Sequence, residues 1–243
     1  MEIVQTAEQA GYEALFVPES SGREAFSTLA GLSGHTEALR LGTGIVTIVA
    51  RRPSTTAMAA ATLHEISGGR LILGLGTGPV GTGALDRLRE SVTLLRSALA
   101  GEEVETPGGG PFRLSIHPGP GPIPIWVAAL NPLAMRLGGE IADGVLLNWC
   151  PPERVAFARE RIREGAEAAG RDPATVTLAV YVRACVGQEP GAAMSALAAM
   201  AAQYASYPAY RRQFDAVGLR EEARAAAGMP PRRGGIFRRS APW

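Results

Sequence analysis

Small residues, hydroxyls and one carboxylate gather at the ends of short apolar runs: Pro18-Glu19-Ser20-Ser21, Gly42-Thr43-Gly44-Ile45, Gly76-Thr77-Gly78, Ala128-Ala129-Leu130-Asn131 and Asn148-Trp149. Glycine and alanine at such positions let a flat ligand approach the backbone, because little or no side chain stands in the way. Glu19 could orient that ligand or relay a proton, or could simply pair with Arg23. Trp149 suits either the wall of a substrate pocket or packing on a loop. His64 and His117 read as solvated, and His35 as a partner for a helix C-terminus. Arg51-Arg52 could meet a polyanionic ligand or remain a solvated pair. No G-x-S-x-G, Cys–His pair or metal-ligand spacing is present in the sequence, so no metal is expected. A site that brings this little reactive chemistry calls for a cofactor to supply it.

The elements that would position these residues alternate regularly. Apolar runs at 14–18, 39–48, 71–75, 123–129, 144–148 and 175–186 read as strands. Helical patterns lie between them, at 24–38, 53–66, 85–99, from Pro132, from Pro152 and from 191 towards 227. A helix over 1–10 presents Ile3, Ala7 and Ala10 on one face, and Leu133, Leu137 and Ile141 mark the helix after Asn131. Asn131-Pro132 has the form of an N-cap followed by proline at the first helical position. The Ala-rich stretch 192–202 reads as a packing face. Residues 102–121, rich in glycine and proline, read as an inserted loop or hairpin. The β-α alternation predicts an α/β fold with a parallel sheet covered by helices.

Two architectures compete, and Arg70–Gly78 decides between them. Gly76-Thr-Gly-Pro-Val-Gly81 fits the G-x-G-x-x-G dinucleotide fingerprint directly after a strand. That reading requires a further buried strand ending in an acid. After the 85–99 helix the chain instead gives Glu102-Glu-Val-Glu-Thr-Pro-Gly-Gly-Gly, and Pro79 stands where a phosphate-binding helix would begin to donate N–H groups. The recurrence of similar endings on several strands favours a (β/α)8 barrel, in which every strand's carboxyl end meets one rim.

The composition allows a large core, with 46% hydrophobic and 19% charged residues, and the net charge of +1 gives no reason to expect a nucleic-acid or membrane-surface partner. Cys150 and Cys185 read as free thiols in a reducing compartment. No apolar stretch reaches the length of a membrane span, and Glu2, Glu8 and Glu13 interrupt any signal-like pattern, so a cytoplasmic location is expected.

The segments VPESSGREAF (17–26), LRLGTGIV (39–46), LHEISGGRLILGLGTG (63–78), PIPIWVAALNP (122–132) and GGEIADGVLLNW (138–149) carry a resemblance. The chain resembles the luciferase-like monooxygenase superfamily, in its branch of coenzyme F420-dependent oxidoreductases similar to methylenetetrahydromethanopterin reductase. The resemblance implies a (β/α)8 TIM barrel, here lacking the first strand and the last helix–strand unit, over residues 1–227; the atypical tail at 228–243, with four Arg, three Pro and no periodic apolar pattern, reads as disordered. The resemblance also implies a deazaflavin in the barrel mouth, hydride transfer at its C5 carbon, a small-molecule substrate and a homodimer. A non-prolyl cis peptide behind the cofactor ring would fall at Gly44-Ile45. Ring and ribityl contacts carry over to Thr43, Gly44, Ile45, Gly76, Thr77 and Gly78, and phosphate-side contacts to Ala128, Ala129 and Asn131. Alternatives are an FMN-dependent monooxygenase on the same fold, or a truncated, non-catalytic paralogue or fragment.

Overall fold

The computed structural model describes residues 2–20, 22–78, 81–187 and 189–228. In chain order the elements are α1 (Glu2–Gln9), β1 (Ala14–Val17), α2 (Ala25–Ser33), β2 (Arg40–Thr43), β3 (Val46–Thr47), α3 (Pro53–Ile66), β4 (Leu71–Gly76), α4 (Ala84–Leu99), β5 (Val104–Thr106), β6 (Gly110–Phe112), β7 (Ile125–Ala128), α5 (Pro132–Ile141), β8 (Gly144–Asn148), α6 (Pro152–Ala168), β9 (Thr177–Tyr181), α7 (Pro190–Ser206), α8 (Pro208–Ala216) and α9 (Arg220–Gly228). The chain divides into two compact units, Met1–Leu147 with Phe157–Ala179, and Asn148–Ala156 with Val180–Trp243.

The first unit is built on a parallel sheet with strand order β1-β2-β4-β7-β8-β9, to which β3 adds by pairing with β4. The pairs β1–β2, β2–β4, β3–β4, β4–β7 and β7–β8 are all parallel, as expected where helices join successive strands. All six residues of β4 are buried, which fits a strand covered on both faces. On α4, Leu88, Val92 and Leu95 form the buried stripe that the helical spacing predicts. Aromatic rings and glycines alternate in the sheet. A Cβ on Gly42 would lie 2.3 Å from the Phe16 ring, and one on Gly144 would lie 2.5 Å from the Trp126 ring. The two rings then meet each other at 5.4 Å. This large-and-small alternation is how barrel interiors fill space.

Several expectations need correction. The run 39–48 is two strands, β2 and β3, separated by Gly44 and Ile45. The sixth strand spans only Thr177–Tyr181, because Pro173–Thr175 forms a 3-10 turn whose cap is the Asp172 carboxylate. The helix expected to reach residue 38 stops at Ser33, with Gly34 as its cap. On α1 the buried residue is Val4, and Ile3 is 72% exposed; on α5, Leu133 is 70% exposed. The insertion at 102–121 is a hairpin in part, with β5 and β6 antiparallel. From Met229 onward, the tail expectation concerns residues outside those described, as does the argument from Pro79.

The second unit holds α7, α8 and α9, whose Ala205, Phe214 and Ala223 pack with Trp149 and Tyr210. The Ala-rich stretch does serve packing, with Ala198 and Ala201 buried.

Candidate active site

The parallel pairings place the carboxyl ends of β1, β2, β4 and β7 side by side, and the site begins where β2 breaks. The Gly44–Ile45 peptide is cis, as the resemblance implies. Main-chain hydrogen bonds fix this bulge from both sides. On the β1 side, the Gly44 N–H donates to the Val17 carbonyl at 2.8 Å, and the Glu19 N–H donates to the Ile45 carbonyl at 3.2 Å. On the β4 side, the Ile48 N–H donates to the Gly76 carbonyl at 2.9 Å. The fully buried Thr43 hydroxyl accepts from the Gly74 N–H and donates to the Gly74 carbonyl, both at 2.8 Å.

The β4 glycines are dictated by close approach to this bulge. A Cβ on Gly74 would stand 2.0 Å from the Thr43 carbonyl oxygen. One on Gly76 would stand 2.5 Å from Ile45 Cδ1 and 3.7 Å from Ala128 Cβ, so Gly76, Ile45 and Ala128 face one another. Gly78 has φ +67°, and a Cβ there would meet Val49 and Thr47. Ile45, Thr77, Gly78 and Ala128 are half-buried, whereas Ala129 lies in the core and bonds through its N–H to Leu146. Asn131 caps α5 as its position predicts, with Oδ1 accepting from the Ala134 N–H at 2.9 Å.

Glu19 is tied down on both oxygens. Oε1 accepts from Arg51 Nε at 3.2 Å, and Oε2 accepts from Arg51 Nη2 at 3.1 Å and from the Ala25 N–H at 3.0 Å. Its partner is therefore Arg51, not Arg23. Arg51 also pairs with Glu24 and stacks over the Phe26 ring at 5.2 Å, so it is neither a solvated arginine nor a free cation. Hydrogen bonding to Glu19 raises the Arg51 pKa above its usual value. Glu24 caps α2 by accepting from the Phe26 and Ser27 N–H groups. Burial works against its carboxylate, but hydrogen bonds from Ser27 and Phe26 outweigh it and lower its pKa to about 2. Two carboxylates at one helix N-terminus suit the partial positive charge there. Beside them opens a cleft of about 440 Å³, lined by Glu19, Ser20, Arg23, Arg51, Arg52 and Thr55 among others.

His64 corrects the sequence reading: it is 1% exposed, and its Nε2 lies 3.1 Å from the Pro120 carbonyl. The loop around Pro120 covers α3 there, which the helical pattern of 53–66 does not reveal.

Trp149 belongs to the second unit, where it stands against Tyr204 and Phe214. Its φ is +53°, in the left-handed region that few non-glycine residues adopt. Gln213 holds it, donating to the Asn148 carbonyl at 2.7 Å and to the Trp149 carbonyl at 2.6 Å. The same unit contains Tyr181, whose phenol burial pushes up to about 12 against the pull of Arg183. Sequence reasoning missed Gln213 and Arg183. Neither sits in a motif; Arg183 could have been noticed as a lone charge just beyond the last strand, but Gln213 gives no signal. Cys150 and Cys185 are free, and burial raises the Cys150 thiol pKa. Among the described residues no group of three or more His, Cys, Asp or Glu converges on a possible metal position, and no helix is long and apolar enough to cross a membrane.

The family model for luciferase-like monooxygenases matches residues 1–239. The chain is 35% identical over 204 residues to a 5,10-methylenetetrahydromethanopterin reductase of Methanolobus tindarius, covering 78% of this chain and 62% of the relative. It is 33% identical over 226 residues to an F420-dependent hydroxymycolic acid dehydrogenase of Mycobacterium tuberculosis, covering 79% of this chain and 60% of the relative. The chain thus spans about 60% of the length of these curated relatives. Among solved structures, the coenzyme F420-dependent tetrahydromethanopterin reductase of Methanopyrus kandleri superposes with a TM-score of 0.76 at 25% identity, over 92% of this chain and 74% of that one. The strands described above are accordingly part of a TIM-type (β/α)8 barrel.

Proposed function

The chain belongs to the luciferase-like monooxygenase family, and from that premise we propose that it is an oxidoreductase that uses coenzyme F420 at the rim around Gly44–Ile45. One observation carries the proposal. Ile45 of the bulge lies over Gly76 of β4 beside Ala128 of β7, which supports a ring site among small residues at the carboxyl ends of the strands. Barrel enzymes hold their sites at that end. The hydroxymycolic acid dehydrogenase and the solved tetrahydromethanopterin reductase, both F420-dependent, support the choice of cofactor.

When bound, F420 supplies a hydride donor or acceptor at its C5 carbon, and the substrate is a small organic molecule. The protein's part is placement. Thr43 locks β2 to β4, so the bulge presents Ile45 as the floor of the ring site. Gly76 leaves room for Ile45 itself, and Ala128, Thr77 and Gly78 stand beside it as small neighbours of the ring. Asn131 and Ala129 set the start of α5, whose N-terminal N–H groups suit the cofactor phosphate. With both oxygens bound by Arg51 and Ala25, Glu19 acts as a positioning residue: it ties α2 to the rim while its own N–H holds the bulge. Trp149 is the substrate-facing candidate of the second unit.

Titrating the purified protein with F420 and, separately, with FMN while following cofactor fluorescence tests the proposal. We expect saturable F420 binding. Tight FMN binding without F420 binding would instead identify a flavin enzyme on the same fold.

A further inference from the structure

The second unit holds an arginine that no described carboxylate pairs with. Arg183 lies two residues beyond the end of β9, with its guanidinium carbon 5.7 Å from the Trp149 ring, 5.5 Å from that of Tyr181 and 5.6 Å from that of Tyr204. Nη2 donates to Asn148 Oδ1 at 3.0 Å and to the Tyr204 hydroxyl at 3.3 Å. Its Nε is buried without a partner, and so is Nε1 of the adjacent Trp149. Among the described residues no carboxylate pairs with it, whereas Arg51, Arg89, Arg96 and Arg163 each hold one.

A half-buried guanidinium is stable when a planar oxyanion takes two of its N–H groups and when aromatic faces flank it. Here the aromatic faces are present and no described residue supplies the oxyanion. Buried donors left unmade are costly, and two lie in one cluster. Asn148 adds direction: its Oδ1 receives Arg183 while its Nδ2 donates to the Tyr210 hydroxyl at 2.9 Å, so the acceptor that orients the guanidinium is itself fixed.

We propose that Arg183, with Trp149 and Tyr204, forms a binding site for an organic anion, a carboxylate or phosphate monoester carried on a planar or apolar body. The anion takes the unpaired Nε–H of Arg183 together with a second guanidinium N–H, and the body stacks on the aromatic faces. Phosphate and carboxylate share this recognition chemistry. The site stands on the second unit alone and does not require F420 to bind.

The test uses the full chain without added cofactor. Benzoate, phenyl phosphate and neutral benzamide are titrated at low salt, and the indole N–H signals are followed by NMR with 15N-labelled tryptophan; Trp149→Phe assigns the Trp149 signal. At least one anion should saturably shift that signal and bind at least tenfold more tightly than benzamide, weakening as salt is raised. Arg183→Gln should lose at least tenfold in affinity, and Arg183→Lys, which keeps charge without the planar fork, should fall between. Equal binding of benzamide and both anions would overturn the proposal, as would failure of both anions to bind. If Arg183→Gln fails to fold, the comparison of anions with benzamide on the unaltered chain and the Arg183→Lys affinity still decide; an unchanged Arg183→Lys affinity for the preferred anion would overturn it.

Discussion

The Thr43 side chain and the Gly74 main chain are joined by two hydrogen bonds of 2.8 Å, one in each direction, through a single buried hydroxyl. The pairing lies one residue before the cis peptide and crosses to the middle of β4. It fixes where the bulge stands relative to the glycines that make room for it.

Thr43→Val should leave both Gly74 groups unpaired in a fully buried place, a loss of about 2–4 kcal/mol from two unmade bonds. Thr43→Ser keeps the hydroxyl and should lose much less. Urea unfolding of both variants checks the difference.

Gly74→Ala and Gly76→Ala should differ. The first sets a methyl 2.0 Å from a backbone carbonyl oxygen, and the second sets one 2.5 Å from the tip of Ile45. Backbone cannot give way, but a side chain can. Thermal unfolding should show Gly74→Ala far more damaging, and Ile45→Ala should partly rescue Gly76→Ala, which a double-mutant cycle reads directly.

Acid should loosen the α2 start in a defined window. Glu24 has its pKa lowered from 4.5 to about 2, so the stability it contributes is complete above 4.5 and is lost as pH falls from 4.5 towards 2. Glu24→Gln should flatten that part of the stability curve, as seen by circular dichroism in urea at stepped pH.

Gln213→Leu should unsettle Trp149. Gln213 is 4% exposed and donates to two successive carbonyls, so its loss frees both and should cost about 1–3 kcal/mol. Trp149 should then relax from its left-handed backbone, visible as a shifted indole N–H signal.

The sequence made some of this arrangement readable and hid the rest, for physical reasons. Apolar runs ending in Gly-Thr-Gly announced β4 and its neighbours, because a doubly buried strand has a continuous local signature. Asn131-Pro132 announced its helix start, because capping is a short-range matter. The absent acid strand weighed against a dinucleotide loop, and the structure agrees, since among the described residues β5 after α4 pairs only with β6. What stayed hidden depends on long-range contact. Arg51 finds Glu19 across 32 positions, and Gln213 reaches Trp149 across 64. His64 is buried by a loop 56 residues away. No local pattern encodes these meetings. The break in β2 came from the family resemblance; the residue pattern alone reads as one strand.

F420 affinity of the unaltered chain and of Ala128→Leu, measured by fluorescence titration, tests the cofactor site most directly. That substitution adds bulk beside Gly76 and Ile45 without removing a side-chain hydrogen bond, and its thermal unfolding temperature serves as the control for folding. The account requires saturable binding by the unaltered chain and a loss of tenfold or more in the folded variant. No F420 binding by the unaltered chain, or equal binding by both, would contradict it.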